Sequence, residues 1–292
     1  MKIGWIGTGV MGAAMAGHIR AAGHELYVFN RTRRKAEPLI EKGARWCESS
    51  SEIASNADIV FTMVGLPGDV EEVYFGERGI LSGKDFCKIV VDMTTSRPTL
   101  AKSIANEAGA RGIDSLDAPV SGGDIGAREA RLAIMVGGRK EIFDEVLPLF
   151  ESMGKVISYM GPAGAGQHTK MCNQISVAGT MIGMCECLLY AAKLGLDQQA
   201  VIDIVGTGAG GSWSINNLGP RIVRGDYETG FFVKHFIKDM GIVLQEADAA
   251  GLSLPGLALI HQLYLAVKAQ GHTESTTQAL FLALKKLNGD AL

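Results

Sequence analysis

The sequence predicts an α/β domain over residues 1–162, then an all-α domain over residues 163–292, with a long helix joining them. A chain of 292 residues is comfortable for two domains. Up to about residue 160, short β-branched runs alternate with amphipathic segments, which is typical of strands joined by crossover helices. After the glycine-rich run 161–166 the alternation stops, and no further strand is predicted.

Seven short runs in the first domain have the character of strands. Turn and cap residues between them agree: Gly23 follows the first predicted helix, Ser51 can cap the segment before residue 58, and Ser96 with Pro98 can open a helix that runs to residue 109. The predicted strands are 2–6, 25–30, 59–64, 88–92, 114–117, 132–136 and 156–159.

The second domain is predicted to consist of helices. The first runs from about residue 167 to residue 193, where Gly195 stops it, and is roughly 40 Å long at 1.5 Å per residue. Its most apolar part, 175–192, is interrupted by Glu186 and is shorter than the roughly 20 residues that span a bilayer, so we expect a buried helix. The later predicted helices are 198–205, 215–224, 236–250, 257–269 and 276–287.

Charge and composition exclude several classes of partner. The net charge is −3 and no basic run is present, so we expect neither nucleic acid nor a membrane surface as partner. The five cysteines form no Cys-x-x-Cys pair and the six histidines lack metal-ligand spacing, so we expect reduced thiols and no metal. With no apolar signal stretch at the start, a cytoplasmic protein acting on a small molecule is expected.

A glycine pattern stands between the first predicted strand and the first predicted helix. It is a G-x-G-x-x-G, in which Gly7 permits a tight turn, Gly9 lets a pyrophosphate approach the backbone and Gly12 lets the helix pack on the strand. The N–H groups at the helix start, which include those of Val10 and Met11, can bind the phosphates. The pattern predicts a Rossmann domain that binds a dinucleotide through these residues.

The end of the second strand predicts which dinucleotide is bound. An acidic residue there would bind the ribose 2′-hydroxyl of NAD, but this sequence has Asn30, Arg31 and Thr32. A neutral Asn30 does not repel a 2′-phosphate, and Arg31 with Thr32 can bind it by charge and hydrogen bond. NADP is therefore the expected cofactor, with NAD possible.

Two further loops are expected at the same crevice. Ligands of such sheets lie beyond the carboxyl ends of the strands. Met63 and Val64 end one predicted strand and Thr95 follows the next, so we predict that all three contact the cofactor.

Four motifs in register resemble the β-hydroxyacid dehydrogenase family over essentially the whole chain. They are the glycine pattern 7–12, Asp-Ala-Pro-Val-Ser-Gly-Gly over 117–123, Gly-x-x-Gly-x-Gly-x-x-x-Lys ending at Lys170, and Lys-Asp-Met over 238–240. The family includes 3-hydroxyisobutyrate dehydrogenase, tartronate semialdehyde reductase, and succinic semialdehyde and glyoxylate reductases. The resemblance implies a nicotinamide-dependent oxidoreductase that forms a homo-oligomer, a dimer or a tetramer.

The resemblance also implies the catalytic residue. Lys170 lies one turn into the long helix, just past a glycine turn that lets a ligand come close, and would act as general acid/base. Partial desolvation beside the nicotinamide would lower the pKa of this lysine towards neutrality. Asn173 and Gln174 project from the same helix face and could hydrogen-bond the substrate or orient the lysine. Some family members carry the assisting Asn where Gln174 stands, and the Asn-Gln order is similar to the tartronate semialdehyde reductase branch, so the division of labour stays open.

Two more groups complete the predicted site. Ser121, Gly122 and Gly123 offer a hydroxyl and unhindered N–H groups that match a substrate carboxylate. Lys238 resembles the family lysine that reaches the cofactor from the helical domain.

The function expected from these residues is NADPH-driven reduction of a small aldehyde acid: succinic semialdehyde, glyoxylate or tartronate semialdehyde. An NAD-dependent 3-hydroxyisobutyrate dehydrogenase is the alternative. Oxidative decarboxylation, as in 6-phosphogluconate dehydrogenase, is weaker because that enzyme pairs its lysine with a His where Asn173 stands. A non-catalytic dinucleotide-binding module is the alternative of another class, and the presence of Lys170 and Ser121 argues against it.

Overall fold

The computed structural model describes residues 1–83, 87–228 and 230–289. The chain divides into two compact units, Met1–Lys170 and Met171–Leu292. The sequence places the boundary at residue 162, eight residues earlier. The division falls later because the first turns of the long helix are hydrogen-bonded to the sheet of the first unit.

The first unit is built on one nine-stranded sheet. Its order is β3-β2-β1-β4-β5-β6-β8-β7, with β9 paired to β8. The pairs from β3 to β6 are all parallel, whereas β8 runs antiparallel to β6 and β7. The strands are β1 Lys2–Ile6, β2 Glu25–Phe29, β3 Arg45–Trp46, β4 Ile59–Thr62, β5 Ile89–Asp92, β6 Asp114–Asp117, β7 Val120–Ser121, β8 Leu132–Gly138 and β9 Gly154–Gly161.

Helices cover both faces of this sheet. Ile3 and Trp5 of β1 pack in one cluster with Met15 of the first helix, whereas Ile6 packs in another with Ile53 of the third. Successive strand residues thus bury their side chains on opposite faces, as the two-residue period of a strand requires. The helices are α1 Val10–Ala21, α2 Glu37–Glu41, α3 Ser50–Asn56, α4 Pro67–Phe75, α5 Pro98–Gly109, α6 Gly123–Arg128 and α7 Lys140–Glu151.

The second unit is helical, and within the described residues no strand follows β9. Its core is a single apolar cluster in which Phe236 packs edge to face on Tyr264, with ring centroids 5.0 Å apart. Its helices are α8 Ala165–Lys193, which begins in the first unit, α9 Gln198–Val205, α10 Trp213–Asn217, α11 Gly219–Val223, α12 Val233–Ala249, α13 Pro255–Ala269 and α14 Leu280–Leu287. The predicted fold class is confirmed.

The differences from the sequence prediction are local. All seven predicted strands are present, and the two that were not predicted, β3 and β7, have only two residues each, too few to show a period. The predicted helix 215–224 is divided into α10 and α11, with Pro220 at the start of α11, where its missing N–H costs nothing. The predicted helix 276–287 begins at Leu280, after a 3-10 turn over Thr277–Ala279.

Two predicted caps are wrong. Ser49, not Ser51, caps α3: its hydroxyl accepts the Glu52 N–H at 3.1 Å. Ser96 does not cap α5, whose preceding residue is Arg97, although the helix begins at Pro98 and ends at Gly109 as predicted. Gly23 does end the first helix as predicted, with a φ of +91°.

Helix α8 is less buried than the sequence predicts. By length and composition it is the one helix of the described ranges that could cross a membrane, and 33% of its most apolar stretch of 18 residues is buried. One face is exposed, and small residues line it at helical spacing, among them Ser176, Gly179 and Gly183.

Candidate active site

The first glycine turn is shaped by its own backbone. Gly7 has a φ of +96°, and a Cβ there would fall on the carbonyl oxygen of Met63. A Cβ on Gly12 would fall on the carbonyl oxygen of Gly7. A Cβ on Gly9 would meet nothing within 4 Å. The open space lies where the dinucleotide pattern requires a phosphate to approach.

The start of α1 offers polar groups to an anion. Gly9 precedes the helix and supplies no side-chain cap, so the first N–H groups of α1 have no capping partner. The Thr8 hydroxyl is buried and makes no hydrogen bond within the described residues. A pyrophosphate would satisfy these groups, so the turn fits a dinucleotide.

Asn30, Arg31 and Thr32 lie beside this turn, and each of them already has a partner within the protein. The Asn30 amide oxygen accepts the Thr8 N–H at 2.9 Å, and its Nδ2 donates to the Thr32 carbonyl at 2.9 Å. Arg31 pairs with Asp69 at 3.0 Å, and its side chain is 89% exposed. Asn30 therefore braces the turn, a role that the sequence did not suggest, and Arg31 remains accessible to a ligand.

The loops after β4 and β5 are tied together. The Thr94 hydroxyl accepts the Val64 N–H at 3.0 Å, and Asp92 accepts the Thr94 N–H at 3.0 Å. Asp92 also accepts the Thr62 hydroxyl at 2.7 Å. These bonds place the predicted cofactor residues Met63, Val64 and Thr95 on adjoining loops, all half-buried.

Gln167 holds the β5–α5 loop against the start of α8, and the sequence did not single it out. Its side chain is fully buried. Its oxygen accepts the Ser96 N–H at 2.9 Å, and its Nε2 donates to the Thr94 carbonyl at 2.7 Å. No local pattern marks such a residue, because both partners lie some 70 residues earlier in the chain.

Asp117 caps α8 from the neighbouring strand β6. One carboxylate oxygen accepts the Gly164 N–H at 2.7 Å and the other accepts the Gln167 N–H at 2.8 Å. Burial raises the pKa of Asp117 to about 6, although these two hydrogen bonds oppose the shift. The cap fixes the first turn of α8 on the sheet.

The glycines at the start of α8 are packed against other parts of the first unit. Gly161 and Gly164 have φ values of +130° and +91°. A Cβ on Gly166 would fall against the carbonyl oxygens of Met135 and Asp117. The sequence predicts that this turn lets a ligand come close. In the structure, the groups that lie close to Gly166 are the carbonyl oxygens of two strand residues.

Lys170 follows one turn after the anchored start of α8. Lys170 is 7% exposed, and such burial is rare for a lysine without a specific role. The helix is tied to the sheet by Asp117 and to the β5–α5 loop by Gln167, so the backbone that carries Lys170 is fixed by two independent contacts.

A chain of polar side chains in the helical unit includes both predicted amides. The Asn173 Nδ2 donates to the Gln174 Oε1 at 2.7 Å, and the Gln174 Nε2 donates to Asp239. Lys238 pairs with the other carboxylate oxygen of Asp239 at 2.9 Å. Asp239 was not among the predicted site residues, although it follows Lys238 directly.

The predicted substrate-carboxylate segment forms a sharp turn. Ser121 ends β7 and is half-exposed, and Gly122 and Gly123 follow with φ values of +128° and +63°. A Cβ on Gly123 would meet nothing within 4 Å. The turn leads directly into α6, a helix that the sequence did not predict.

Two family models together match nearly all of the chain. The model for the NAD binding domain of 6-phosphogluconate dehydrogenase matches residues 2–161. The model described as NAD-binding of NADP-dependent 3-hydroxyisobutyrate dehydrogenase matches residues 164–284.

Curated relatives and a solved structure agree with these matches. A probable mitochondrial 3-hydroxyisobutyrate dehydrogenase-like protein of Arabidopsis thaliana is 50% identical over 98% of this chain and 86% of its own. The 2-hydroxy-3-oxopropionate reductase of Escherichia coli is 39% identical over 98% of this chain and 97% of its own. The solved Mycobacterium tuberculosis 3-hydroxyisobutyrate dehydrogenase with L-serine is 30% identical, with a TM-score of 0.88 over 97% of this chain and 99% of its own.

The comparisons and the geometry point the same way. The glycine turn and the start of α1 suit a dinucleotide, and the resemblance that four motifs carry extends to relatives over almost their whole length. The chain therefore belongs to the β-hydroxyacid dehydrogenase family and is an NAD(P)-dependent oxidoreductase.

Proposed function

We propose that this protein is an NADP(H)-dependent reductase of a small aldehyde acid, with Lys170 as its general acid/base. The observation that carries the proposal is the placement of Lys170, a buried lysine one turn into a helix whose start is held by Asp117 and Gln167. Two amides follow it on the same helix. The candidate substrates are tartronate semialdehyde, succinic semialdehyde and glyoxylate.

The reaction requires the protein to carry out one proton transfer. The nicotinamide, when bound, supplies or accepts the hydride. In the reductive direction the Lys170 ammonium donates its proton to the carbonyl oxygen as the carbon takes the hydride, which gives the alcohol. In the oxidative direction the neutral Lys170 amine removes the hydroxyl proton. Solvent then restores the starting protonation of Lys170.

The start of α8 is held by two contacts, one from Asp117 and one through the Gln167 side chain, and a general acid needs such precise placement. A general acid works only within hydrogen-bond reach of the oxygen that it protonates, and a displacement of about 1 Å can cost two orders of magnitude in rate. Asp117 and Gln167 are therefore positioning residues for Lys170 in this proposal. They act through the helix backbone rather than on the substrate.

Ser121, Gly122 and Gly123 hold the substrate carboxylate. The Ser121 hydroxyl and the N–H groups of a turn with two positive φ values suit an anion. A carboxylate held there leaves the aldehyde at the other end of a short substrate. The 2-hydroxy-3-oxopropionate named in the E. coli relative has these two groups on a three-carbon chain, which supports the choice of a short aldehyde acid.

The residues at the end of β2 favour NADP over NAD. Arg31 supplies a charge that suits a 2′-phosphate, and its ion pair with Asp69 is exposed enough to be exchanged for that phosphate at small cost. Asn30 is committed to the glycine turn and brings no negative charge. Met63, Val64, Thr95 and Lys238 remain proposed cofactor contacts.

The test is a panel of short aldehyde acids run with NADPH and with NADH. We expect oxidation of NADPH with at least one of the three candidate aldehydes, at a higher kcat/KM than with NADH. Absence of turnover throughout the panel, in both directions, would favour the non-catalytic dinucleotide-binding alternative. A preference for NAD and 3-hydroxyisobutyrate would favour the dehydrogenase alternative.

We also propose that the protein is a homo-oligomer, a dimer or a tetramer. The face of α8 that carries Ser176, Gly179 and Gly183 is exposed in one chain, and small residues let a second helix approach closely. Covering this apolar helix in water would be favourable. Light scattering during gel filtration checks this: a mass at the monomer value across micromolar concentrations would contradict it.

A further inference from the structure

An acidic residue lies beside the end of β2, although the loop there consists of Asn30, Arg31 and Thr32. Asp69 supplies it from the first turn of α4, 38 residues after Arg31 in the chain. One Asp69 carboxylate oxygen is 3.0 Å from the Arg31 Nη1. The loop after β2 and the start of α4 are therefore joined by an ion pair that the sequence does not reveal.

The Asp69 carboxylate is held in place by its own helix. Its second oxygen accepts the Leu66 N–H at 3.0 Å, where α4 begins. An acidic side chain in the first turn of a helix is also stabilised by the partial positive charge of the helix start. The Asp69 side chain is 26% exposed, whereas the Arg31 side chain is 89% exposed. When a ligand draws Arg31 away, the carboxylate therefore stays where it is.

The next arginine of the loop has other partners. The Arg33 guanidinium lies 5.1 Å from the centre of the Trp46 ring and 3.6 Å from a Glu48 oxygen. Among the described residues, Arg31 is the one cation paired with Asp69. A 2′-phosphate that binds Arg31 therefore meets a cation that already has an anion beside it.

A carboxylate and a phosphate compete for one guanidinium. The guanidinium has enough N–H groups to bind both at once, but two anions on one guanidinium lie roughly 5 Å apart and repel each other. In water, the repulsion between a carboxylate and a phosphate dianion at such a separation changes an affinity by about tenfold. The ribose 2′-hydroxyl of NAD carries no charge, so the carboxylate does not repel it.

We infer that Asp69 is a specificity-determining residue that weakens NADPH binding at Arg31 and leaves NADH binding unchanged, an inference that rests on the proposed function. Asp69 brings to the end of β2 the negative charge whose absence from Asn30 favours NADP. The protein therefore discriminates between the two cofactors less sharply than the loop after β2 alone predicts.

The test is the pair of dissociation constants for NADPH and NADH, measured by fluorescence titration of the full chain without substrate. Asp69→Asn removes the charge and keeps an oxygen that can accept the Leu66 N–H. We expect NADPH to bind this variant about tenfold more tightly than the wild type, and NADH to bind both within about twofold. Asp69→Ser, which is also neutral and also an acceptor, should give the same result.

Glu71→Gln is the matched control, because it removes another carboxylate of α4 whose partner is Arg97. It should change neither dissociation constant. The gain in Asp69→Asn should also shrink when the ionic strength rises from about 0.05 M to about 1 M, since salt screens the repulsion between exposed charges. A loop rearranged by the substitution would give a gain that does not depend on salt, which would contradict the inference.

Two further results would overturn the inference. Unchanged affinities in Asp69→Asn would show that the carboxylate does not compete, and weaker NADPH binding would show that it orients Arg31 for the phosphate. In either case the proposed cofactor stands as long as Arg31→Ala weakens NADPH binding selectively. If Arg31→Ala weakens the binding of both cofactors equally, or of neither, the proposed preference for NADP fails and this inference fails with it.

Discussion

Two glycine-rich turns of the first unit each lead into a helix, and they do different work. At residues 7–12, the helix start is uncapped and Gly9 faces open space. At residues 161–166, the helix start is capped by Asp117, and Gly166 lies against strand carbonyls. At the first turn, no side chain caps the N–H groups of the helix start, which leaves them to a ligand. At the second turn, Asp117 accepts the N–H groups of Gly164 and Gln167.

The difference shows what a glycine pattern alone can predict. Both runs allow close approach to the backbone, but the sequence does not reveal what approaches. What distinguishes them is an acidic residue 47 positions earlier, whose carboxylate reaches Gly164. An anion-binding helix start and a protein-capped helix start therefore differ by a tertiary contact.

The largest expected effect separates the two turns directly. Gly166→Ala should lower the free energy of unfolding by about 3 kcal/mol, because its Cβ would be forced against the Met135 and Asp117 carbonyls. Gly9→Ala should leave stability nearly unchanged, since its Cβ meets nothing, but should weaken NADPH binding. Denaturant unfolding and NADPH fluorescence titration measure the two quantities.

The matched substitution keeps the comparison strict, because each variant adds one methyl group to a glycine beside a helix start. Equal stability of the two variants would show that Gly166 is not packed as described. Unchanged NADPH affinity in Gly9→Ala would contradict the binding of a cofactor phosphate at the first turn.

The next effect concerns the cofactor end of the first turn. Arg31→Ala should weaken NADPH binding by about 2 kcal/mol and NADH binding far less, because only NADPH has the 2′-phosphate. Arg34→Ala, which removes another exposed arginine of the same loop, serves as control and should change both affinities little. Equal losses for the two cofactors in Arg31→Ala would argue against recognition of the 2′-phosphate.

The smallest effect concerns the cap of the second turn and depends on pH. The pKa of Asp117 is about 6 in the folded protein and ordinarily 3.8, so the folded state binds this proton more tightly. Stability from this group is therefore present at low pH and is lost as pH rises through 6. Between pH 5 and pH 7 the wild-type protein should lose about 1 kcal/mol more stability than Asp117→Asn. Parallel pH profiles of the two proteins would contradict the shift.

Much of the fold follows from local pattern. Strands such as β4 and β5 lie where they are predicted, because buried β-branched runs and their flanking turns are local signals. The two-residue strands β3 and β7 and the break between α10 and α11 depend on tertiary contacts, which a periodicity does not contain. The exposed face of α8 was missed because small apolar residues look the same in a core and on a surface awaiting a partner.

The residues of the candidate site also fall into two groups, those that a local pattern predicts and those that depend on tertiary contacts. Lys170, Arg31 and the first glycine turn are found from motifs, because a ligand constrains residue type at fixed spacing. Gln167 was missed because its partners lie far away in the chain, and Asp239 because one of its two partners, Gln174, does. The second turn is predicted to let a ligand come close, and its sequence does not reveal that Asp117, which lies on another strand, caps it.

The central claim is that Lys170 moves the proton, and Lys170→Ala tests it most directly. We predict that turnover falls by a factor of about 10³, within the range for loss of a general acid, while folding and NADPH affinity stay near wild type. Lys193→Ala, at the exposed end of the same helix, should keep its turnover. Wild-type turnover in Lys170→Ala would contradict the claim.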